Sequence, residues 1–156
     1  MQRVDTAEQI RTEFPDYLRD ESRVTASDAS ALVWARSEDD VRAALADARA
    51  HGWPVTVSAA RTGIVAGCVP LCGGMILSLD KMTMLTALNH DAARDEWSLV
   101  VQPGALLCGV QESAENLFCF YENVWNAQSR AALQLAKDRG VRLFYPPDPT
   151  EMSATV

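Results

Sequence analysis

The chain has 156 residues, of which 48% are hydrophobic and 22% are charged, and this composition is typical of a globular protein rather than a disordered one. The net charge of −7 argues against general electrostatic binding to nucleic acid or to an anionic membrane. The N-terminus lacks the apolar core of a signal peptide, and no apolar run is long enough to span a bilayer. We therefore expect a cytoplasmic protein.

The first predicted element is a short helix near the N-terminus. Thr6 to Gln9 has the sequence of a capping box, and Pro15 is placed to end the helix that follows. The polar stretch 16–30 is interpreted as a loop.

Residues 31–58 predict a strand, a helix and a second strand. Ala31–Trp34 is an apolar run, and Val55–Val57 is β-branched. Between them Ser37 has the position of an N-cap and Gly52 that of a C-cap. A connection of this length indicates parallel strands. The helix is expected to bury one apolar face, at Val41, Leu45 and Ala48.

The remaining elements follow from shorter patterns. Strands are predicted at 75–79, 84–88, 97–101 and 141–144, and the polar segment 89–95 indicates that the middle two form a hairpin. Helices are predicted at 106–113 and 127–139, the second with Ala131, Leu135 and Ala136 on its buried side.

The four cysteines form no CxxC pair, and no histidine stands at zinc-finger spacing from them. We expect reduced, mostly buried thiols, with Cys68 and Cys72 as a weaker candidate for a redox or metal pair. The cysteines are Cys68, Cys72, Cys108 and Cys119.

A loop of small residues follows the predicted strand at 55–57. Successive backbone N–H groups in such a loop can bind an anion, and Arg61 and Thr62 could add a cation and a hydroxyl. The alternative is a tight surface loop whose glycines serve turns. The spacing matches neither GxGxxG nor GxxxxGK[ST], which excludes a Rossmann or P-loop assignment.

The order of motifs resembles one known family. Residues 58–70 align with its pattern Arg-Gly-Gly-Gly-Thr-Gly-Leu-x-Gly-Gly-Ala-Val-Pro, and Gln102-Pro103-Gly104 with its Glu-Pro-Gly turn. Residues 145–150 and 154–156 resemble its Phe-Pro-Pro-Asp-Pro and Ala-Thr-Ile segments. The chain is similar to the FAD-binding domain of the vanillyl-alcohol-oxidase type of flavoenzymes. Within that group it most resembles the glycolate oxidase flavin subunit and D-lactate dehydrogenases.

The loop departs from the family pattern at several positions. Thr62, Gly63 and Gly67 match, whereas Ser58 stands where the family has arginine. Ala59, Ala60 and Arg61 replace three glycines, and alanine adopts a positive φ only at a cost. Arg61 could restore the cation that is lost at Ser58.

The resemblance implies an α+β fold of the FAD-binding PCMH type, with a complete N-terminal β-α-β subdomain and a truncated second one. We expect a helical arm over 1–29 and the C-terminally incomplete FAD-binding domain over 30–156. The diphosphate of FAD would lie on the loop, and a later segment would line the cofactor. These site residues are Ser58, Ala59, Ala60, Arg61, Thr62, Gly63, Gly67, Pro147, Asp148, Pro149 and Thr155.

The implied activity is hydride transfer from the α-carbon of a 2-hydroxyacid to the flavin. The family's catalytic groups lie in a later cap domain, so no catalytic residue and no metal site is assigned, and this chain alone should be inactive. The substrate would bind through that cap domain. Homo-oligomers or other oxidase subunits stay open as partners, whereas nucleic acid is not expected. An incomplete sheet would leave an exposed edge, which predicts marginal stability or self-association.

Two other functions stay open. The same flavin fold could serve a sugar or aromatic alcohol oxidase, or a cell-wall precursor reductase. The chain could instead be a non-catalytic interaction module whose contact surface is the aromatic segment 116–126, although a locally packed loop is the simpler interpretation of that segment.

Overall fold

The computed structural model describes residues 1–143, and the chain divides into two compact units, Met1–Met82 and Thr83–Val156. The first unit contains β1 (Gln2–Val4), α1 (Ala7–Glu13), a 3₁₀ helix (Pro15–Leu18), β2 (Ala31–Trp34), α2 (Glu38–His51), β3 (Val55–Ser58) and β4 (Met75–Ser78). The described part of the second unit contains β5 (Leu85–Asp91), β6 (Glu96–Val101), α3 (Leu107–Glu115) and α4 (Ala127–Asp138).

The first unit is built on a four-stranded sheet in the order β1-β2-β4-β3. Strands β2 and β3 are each parallel to β4, which lies between them, while β1 is antiparallel to β2. The parallel strand–helix–strand unit predicted from 31–58 is therefore confirmed. Strand β1 was not predicted, because the three residues Gln2–Val4 are too few to show a period of two.

Alternate residues of the sheet face two separate apolar cores. One face packs against α1 and the 3₁₀ helix, and its core includes Ile10, Leu18, Leu32, Trp34 and Ile76. The other face packs against α2, and its core includes Ala31, Val33, Ala44, Met75 and Leu77. Burial on both faces explains why β2 and β4 read as continuous apolar runs.

Helix α2 has the caps that the sequence indicates but a different buried face. The Ser37 hydroxyl accepts a hydrogen bond from the N–H of Asp40, and Gly52 has a φ of +65° at the C-cap. The predicted apolar residue Leu45 is 46% exposed, whereas Ala44 and Ala48 are buried. The prediction for Leu45 was wrong because positions 41, 44 and 48 share a helix face equally well, and small alanines allow a closer approach to the sheet.

The second unit packs two helices against the predicted hairpin. Strands β5 and β6 are antiparallel, and their core includes Leu85, Leu88, Val110, Trp125 and Leu133. The indole N–H of Trp125 donates to the carbonyl oxygen of Leu85 at 2.7 Å. The buried Ser129 hydroxyl accepts from the N–H of Leu88 at 3.1 Å, so α4 satisfies a donor of β5.

Two predictions for this unit need correction. Helix α4 buries Ser129, Ala132, Leu133 and Ala136. Ala131 is exposed and Leu135 is only partly buried, so the predicted face was wrong by about one position. Residues 141–143 form no strand, because the chain leaves α4 through Gly140 with a φ of +63° and the N–H of Val141 bonds back to Ala136.

The aromatic segment 116–126 is largely part of this core. Phe118 and Trp125 are 3% and 2% exposed, and Tyr121 stacks on Trp125 with ring centroids 5.6 Å apart. Phe120 differs, since it is 78% exposed. Local packing therefore accounts for most of the segment.

Within residues 1–143, no helix is both long enough and apolar enough to cross a membrane.

Gly74 gives a sharp stability prediction. Its φ is +76°, and a Cβ at this position would overlap the carbonyl oxygen of Pro54. Gly74→Ala should lower the free energy of unfolding by at least about 2 kcal/mol, from left-handed strain plus overpacking. Urea unfolding followed by tryptophan fluorescence measures this.

The matched control is Gly67→Ala, where a Cβ meets nothing within 4 Å and φ lies outside the left-handed region. That change should stay within about 0.5 kcal/mol. Equal effects of the two substitutions would contradict the assigned packing at Gly74.

Candidate functional site

The three parallel strands of the first unit end side by side. Trp34 and Ser58 are both register partners of Ser78, the last residue of the central strand β4. This edge is the carboxyl edge of the parallel strands, where ligands of open α/β sheets bind. The loop predicted to hold an anion leaves β3 at this edge.

The loop presents a row of backbone donors. Among residues 1–143, no backbone N–H of residues 59–64 donates a hydrogen bond. The side chains here are small or only partly buried, and Gly63 is exposed. A ligand can therefore approach the N–H groups closely.

Two non-glycine residues of this loop adopt the left-handed conformation. Arg61 has a φ of +61° and Ala66 a φ of +58°. Both stand where the resembled pattern has glycine. Gly63 and Gly67, which match the pattern, have φ values outside that region. The backbone thus adopts a glycine-like conformation at two positions where this chain has a residue with a Cβ.

The side chain of Arg61 is engaged by the protein itself. Its Nη1 donates to the carbonyl oxygen of Ala59 at 2.7 Å and to Oδ2 of Asp80 at 3.1 Å. The guanidinium carbon lies 4.3 Å from the ring centroid of Tyr17, a cation–π distance. The predicted phosphate-clamping cation is therefore held between a carboxylate and an aromatic ring.

Tyr17 links this loop to the core. Its hydroxyl donates to Oδ2 of Asp80 at 2.5 Å and accepts from Nε1 of Trp34 at 2.7 Å. Burial raises the pKa of Tyr17, and the hydrogen bond to the Asp80 carboxylate raises it further. The phenol therefore stays a neutral donor to that carboxylate at neutral pH.

Two buried polar atoms at this edge have no hydrogen-bond partner among the described residues: Oγ of Ser58 and Oδ1 of Asp80. Ser58 itself is 1% exposed. Buried polar groups are nearly always paired, so an unpaired hydroxyl at the start of the loop indicates a place for a further polar group.

A polar cavity of about 510 Å³ opens beside the loop. Its lining carries three arginines, Arg19, Arg23 and Arg61, and three acids, Asp16, Asp20 and Glu21, and Arg19 is paired with Asp16. The charges of the lining therefore balance, and the unbonded N–H groups of residues 59–64 are the feature that suits an anionic ligand such as a diphosphate.

Other predicted residues do not join this arrangement. Pro147, Asp148, Pro149 and Thr155 lie outside the described residues. In residues 1–143 no group of three or more His, Cys, Asp or Glu side chains could hold a metal ion.

The cysteines differ from the expectation of buried thiols. All four are unpaired, but Cys72, Cys108 and Cys119 are exposed. Cys72 and Cys119 lie in turns, and Cys108 lies on α3. Only Cys68 is partly buried, with its thiol donating to Oδ2 of Asp20 at 3.6 Å.

Sequence reasoning missed the residues that hold the loop. Tyr17 lies in a stretch interpreted as part of a polar loop, and Asp80 follows a strand with no motif around it. The available signal was topological: Asp80 follows the central strand, so it lies at the same sheet edge as the loop after β3.

Comparison with known proteins agrees with this geometry. The model of the FAD binding domain family matches residues 29–133. The chain is 34% identical over 125 residues to a D-lactate dehydrogenase of Anaerostipes hadrus, covering 80% of this chain and 20% of that protein. It is 30% identical over 105 residues to a D-2-hydroxyglutarate dehydrogenase of Stutzerimonas stutzeri (strain A1501), covering 67% and 22%.

The fold is also found among solved structures. The crystal structure of aclacinomycin oxidoreductase superposes with a TM-score of 0.56 at 14% identity, covering 74% of this chain and 22% of that one. This likeness concerns the fold. The chain spans about a fifth of the length of the curated relatives that it matches.

The chain belongs to the FAD binding domain family, with FAD as the cofactor of that family. The resemblance to the flavin domains of D-lactate dehydrogenases and the α+β FAD-binding fold are therefore confirmed.

Cys68 provides a pH-dependent prediction. Burial raises the pKa of its thiol, and the nearby Asp20 carboxylate raises it further. Since the thiolate is the reacting form, Cys68 should react with N-ethylmaleimide at pH 7.5 at least about fivefold more slowly than the exposed Cys72. Peptide mass mapping of timed samples measures both rates.

Asp20→Asn should accelerate the reaction of Cys68, because loss of the negative charge lowers the thiol pKa and increases the thiolate fraction. Glu21→Gln removes a neighbouring exposed charge as a control and should leave the rate unchanged. An unchanged or slower rate in Asp20→Asn would refute the assigned contact.

Proposed function

We propose that this chain is the FAD-binding part of a flavin-dependent 2-hydroxyacid oxidoreductase of the glycolate oxidase and D-lactate dehydrogenase kind. Two relatives support the substrate class, since D-lactate and D-2-hydroxyglutarate in their names are both 2-hydroxyacids. The observation that carries the cofactor assignment to particular residues is the row of unbonded N–H groups at residues 59–64.

The diphosphate of FAD would be held by the backbone of this loop. Ser58, Ala59, Ala60, Arg61, Thr62, Gly63 and Gly67 are the proposed contacts. A left-handed residue, as at Arg61, is one of the two backbone conformations that alternate in anion-binding nests. Ser58 supplies a buried hydroxyl that has no partner among residues 1–143.

An apolar surface adjoins this polar loop. Ile64 and Val65 are 77% and 82% exposed, directly after the row of donors. A ligand with both a charged and a flat apolar portion would use both surfaces, and FAD has this character. Contiguous exposed apolar patches rimmed by polar residues mark binding sites for ligands, proteins or membranes.

Bound FAD would accept the hydride that leaves the α-carbon of the substrate. The residues of this chain bind and orient the cofactor. We also propose that Pro147, Asp148, Pro149 and Thr155 line it, and that the 2-hydroxyacid binds through a cap domain not contained in residues 1–156. The chain by itself should then be inactive, and other oxidase subunits or a second copy are the candidate partners.

The alternatives have less support. A sugar or aromatic alcohol oxidase would use the same fold, but the two curated relatives are named for hydroxyacids. For an interaction module built on 116–126, Phe118 and Trp125 are in the core, which leaves Phe120 as the main exposed aromatic side chain of that segment.

Bulky side chains in the loop should abolish FAD retention. Thr62→Trp and Gly63→Trp would fill the space above the N–H groups, and we expect the dissociation constant for FAD to rise at least roughly tenfold from steric exclusion. Flavin absorbance after gel filtration, and quenching of flavin fluorescence in titrations, measure this in the natural protein that carries residues 1–156.

Ala43→Trp is the matched control, because Ala43 is exposed on α2. It should leave the FAD dissociation constant unchanged. Failure of the unmodified protein to bind flavin would overturn the proposed function, and full retention in both loop variants would remove Thr62 and Gly63 from the site.

A further inference from the structure

Arg61 combines two features that are hard to reconcile with a phosphate-binding side chain. Its φ of +61° is unfavourable for any residue with a Cβ. Its guanidinium already contacts Ala59, Asp80 and Tyr17. A strained conformation persists only where the surroundings determine it, and here three contacts from one side chain do so.

Asp80 and Tyr17, which contact the Arg61 side chain, are themselves held by residues of the sheet. The backbone N–H of Asp80 donates to the hydroxyl of Ser78 at 3.3 Å, at the end of the central strand. Tyr17 is fixed by the indole N–H of Trp34, whose side chain is 4% exposed. Arg61 is thus tied to two groups that are anchored on β4 and β2.

We propose that Tyr17 and Asp80 are positioning residues for the FAD loop. They hold the Arg61 side chain, which keeps the loop in the left-handed conformation that turns its N–H groups toward the diphosphate, while the guanidinium itself does not contact phosphate. The inference rests on the proposed function. It gives a cofactor-binding role to Tyr17, which lies before the matched domain at 29–133.

This role makes a distinctive prediction for Arg61. Glycine adopts the left-handed conformation without help, whereas alanine loses the contacts and keeps the strain. Arg61→Gly should therefore weaken FAD binding only a few-fold, and Arg61→Ala roughly tenfold. If the guanidinium binds phosphate instead, glycine should be at least as harmful as alanine, and that order would overturn the inference.

Asp80 and Tyr17 are tested against the same background. Asp80→Asn and Tyr17→Phe should each raise the FAD dissociation constant roughly three- to tenfold in the otherwise unmodified protein. In Arg61→Gly they should have little further effect, since the contact they serve is gone. Equal effects in both backgrounds would show that the two residues do not act through Arg61.

A measurement without cofactor guards against folding effects. In urea unfolding, Arg61→Gly should have a higher midpoint than Arg61→Ala, because only alanine keeps the strain. The control is Ala60→Gly, at a position outside the left-handed region. This substitution should lower the midpoint relative to the unmodified protein, which gives the general cost of a glycine in this loop. A lower midpoint for Arg61→Gly than for Arg61→Ala would overturn the inference.

The outcomes separate this inference from the proposed function. A smaller loss of FAD binding in Arg61→Gly than in Arg61→Ala, with loss in the Thr62 and Gly63 variants, supports both. Loss in those variants together with greater harm from glycine than from alanine at Arg61 overturns the positioning role and leaves the proposed function standing. If the unmodified protein binds no flavin, the proposed function fails, and the unfolding order alone decides whether Arg61 holds the loop.

Discussion

The carboxylate of Asp80 connects the sheet edge to the loop that leaves it. One of its oxygens accepts from the Tyr17 hydroxyl and from the Arg61 guanidinium. The N–H of Leu79, directly before Asp80, donates to the carbonyl oxygen of Ser58, so the end of the sheet positions Asp80. The loop, the 3₁₀ helix and the strand ends are thereby held together by one charged group with low exposure.

This arrangement bears on how to interpret residues that replace glycine in a glycine-rich pattern. A backbone conformation can be supplied by the residue type, as with glycine, or by contacts that compensate for its cost. Arg61 belongs to the second case, since its own side chain makes the compensating contacts. Ala66 has no polar side chain, but it packs against the same apolar core as Tyr17.

Much of the fold was predictable because its signals are local. The caps at Ser37 and Gly52, and the apolar run at Ala31–Trp34, each depend on residues close in sequence. The burial of Ala44 in place of Leu45 was not predictable from the sequence, because it depends on which face of α2 meets the sheet.

The candidate site was predictable only in part, because a local sequence pattern marks only some of its residues. The loop at 58–63 carries a motif, and its small side chains indicate close approach to the backbone. The partners of Arg61 come from positions 44 residues before and 19 residues after it in sequence, and no local pattern marks them. Only the topology, in which β4 lies between β2 and β3, brings them to one place.

The same topology has a kinetic consequence. Strands β2 and β3 share no ladder with each other, since each pairs with β4. Strands β2 and β3, which flank α2 in the sequence, therefore cannot join into one sheet until β4 (Met75–Ser78) inserts between them. On a ribosome, this first unit should stay without a parallel ladder until its last strand has emerged, and its folding should be slow for its size because the stabilising pairings are distant in sequence.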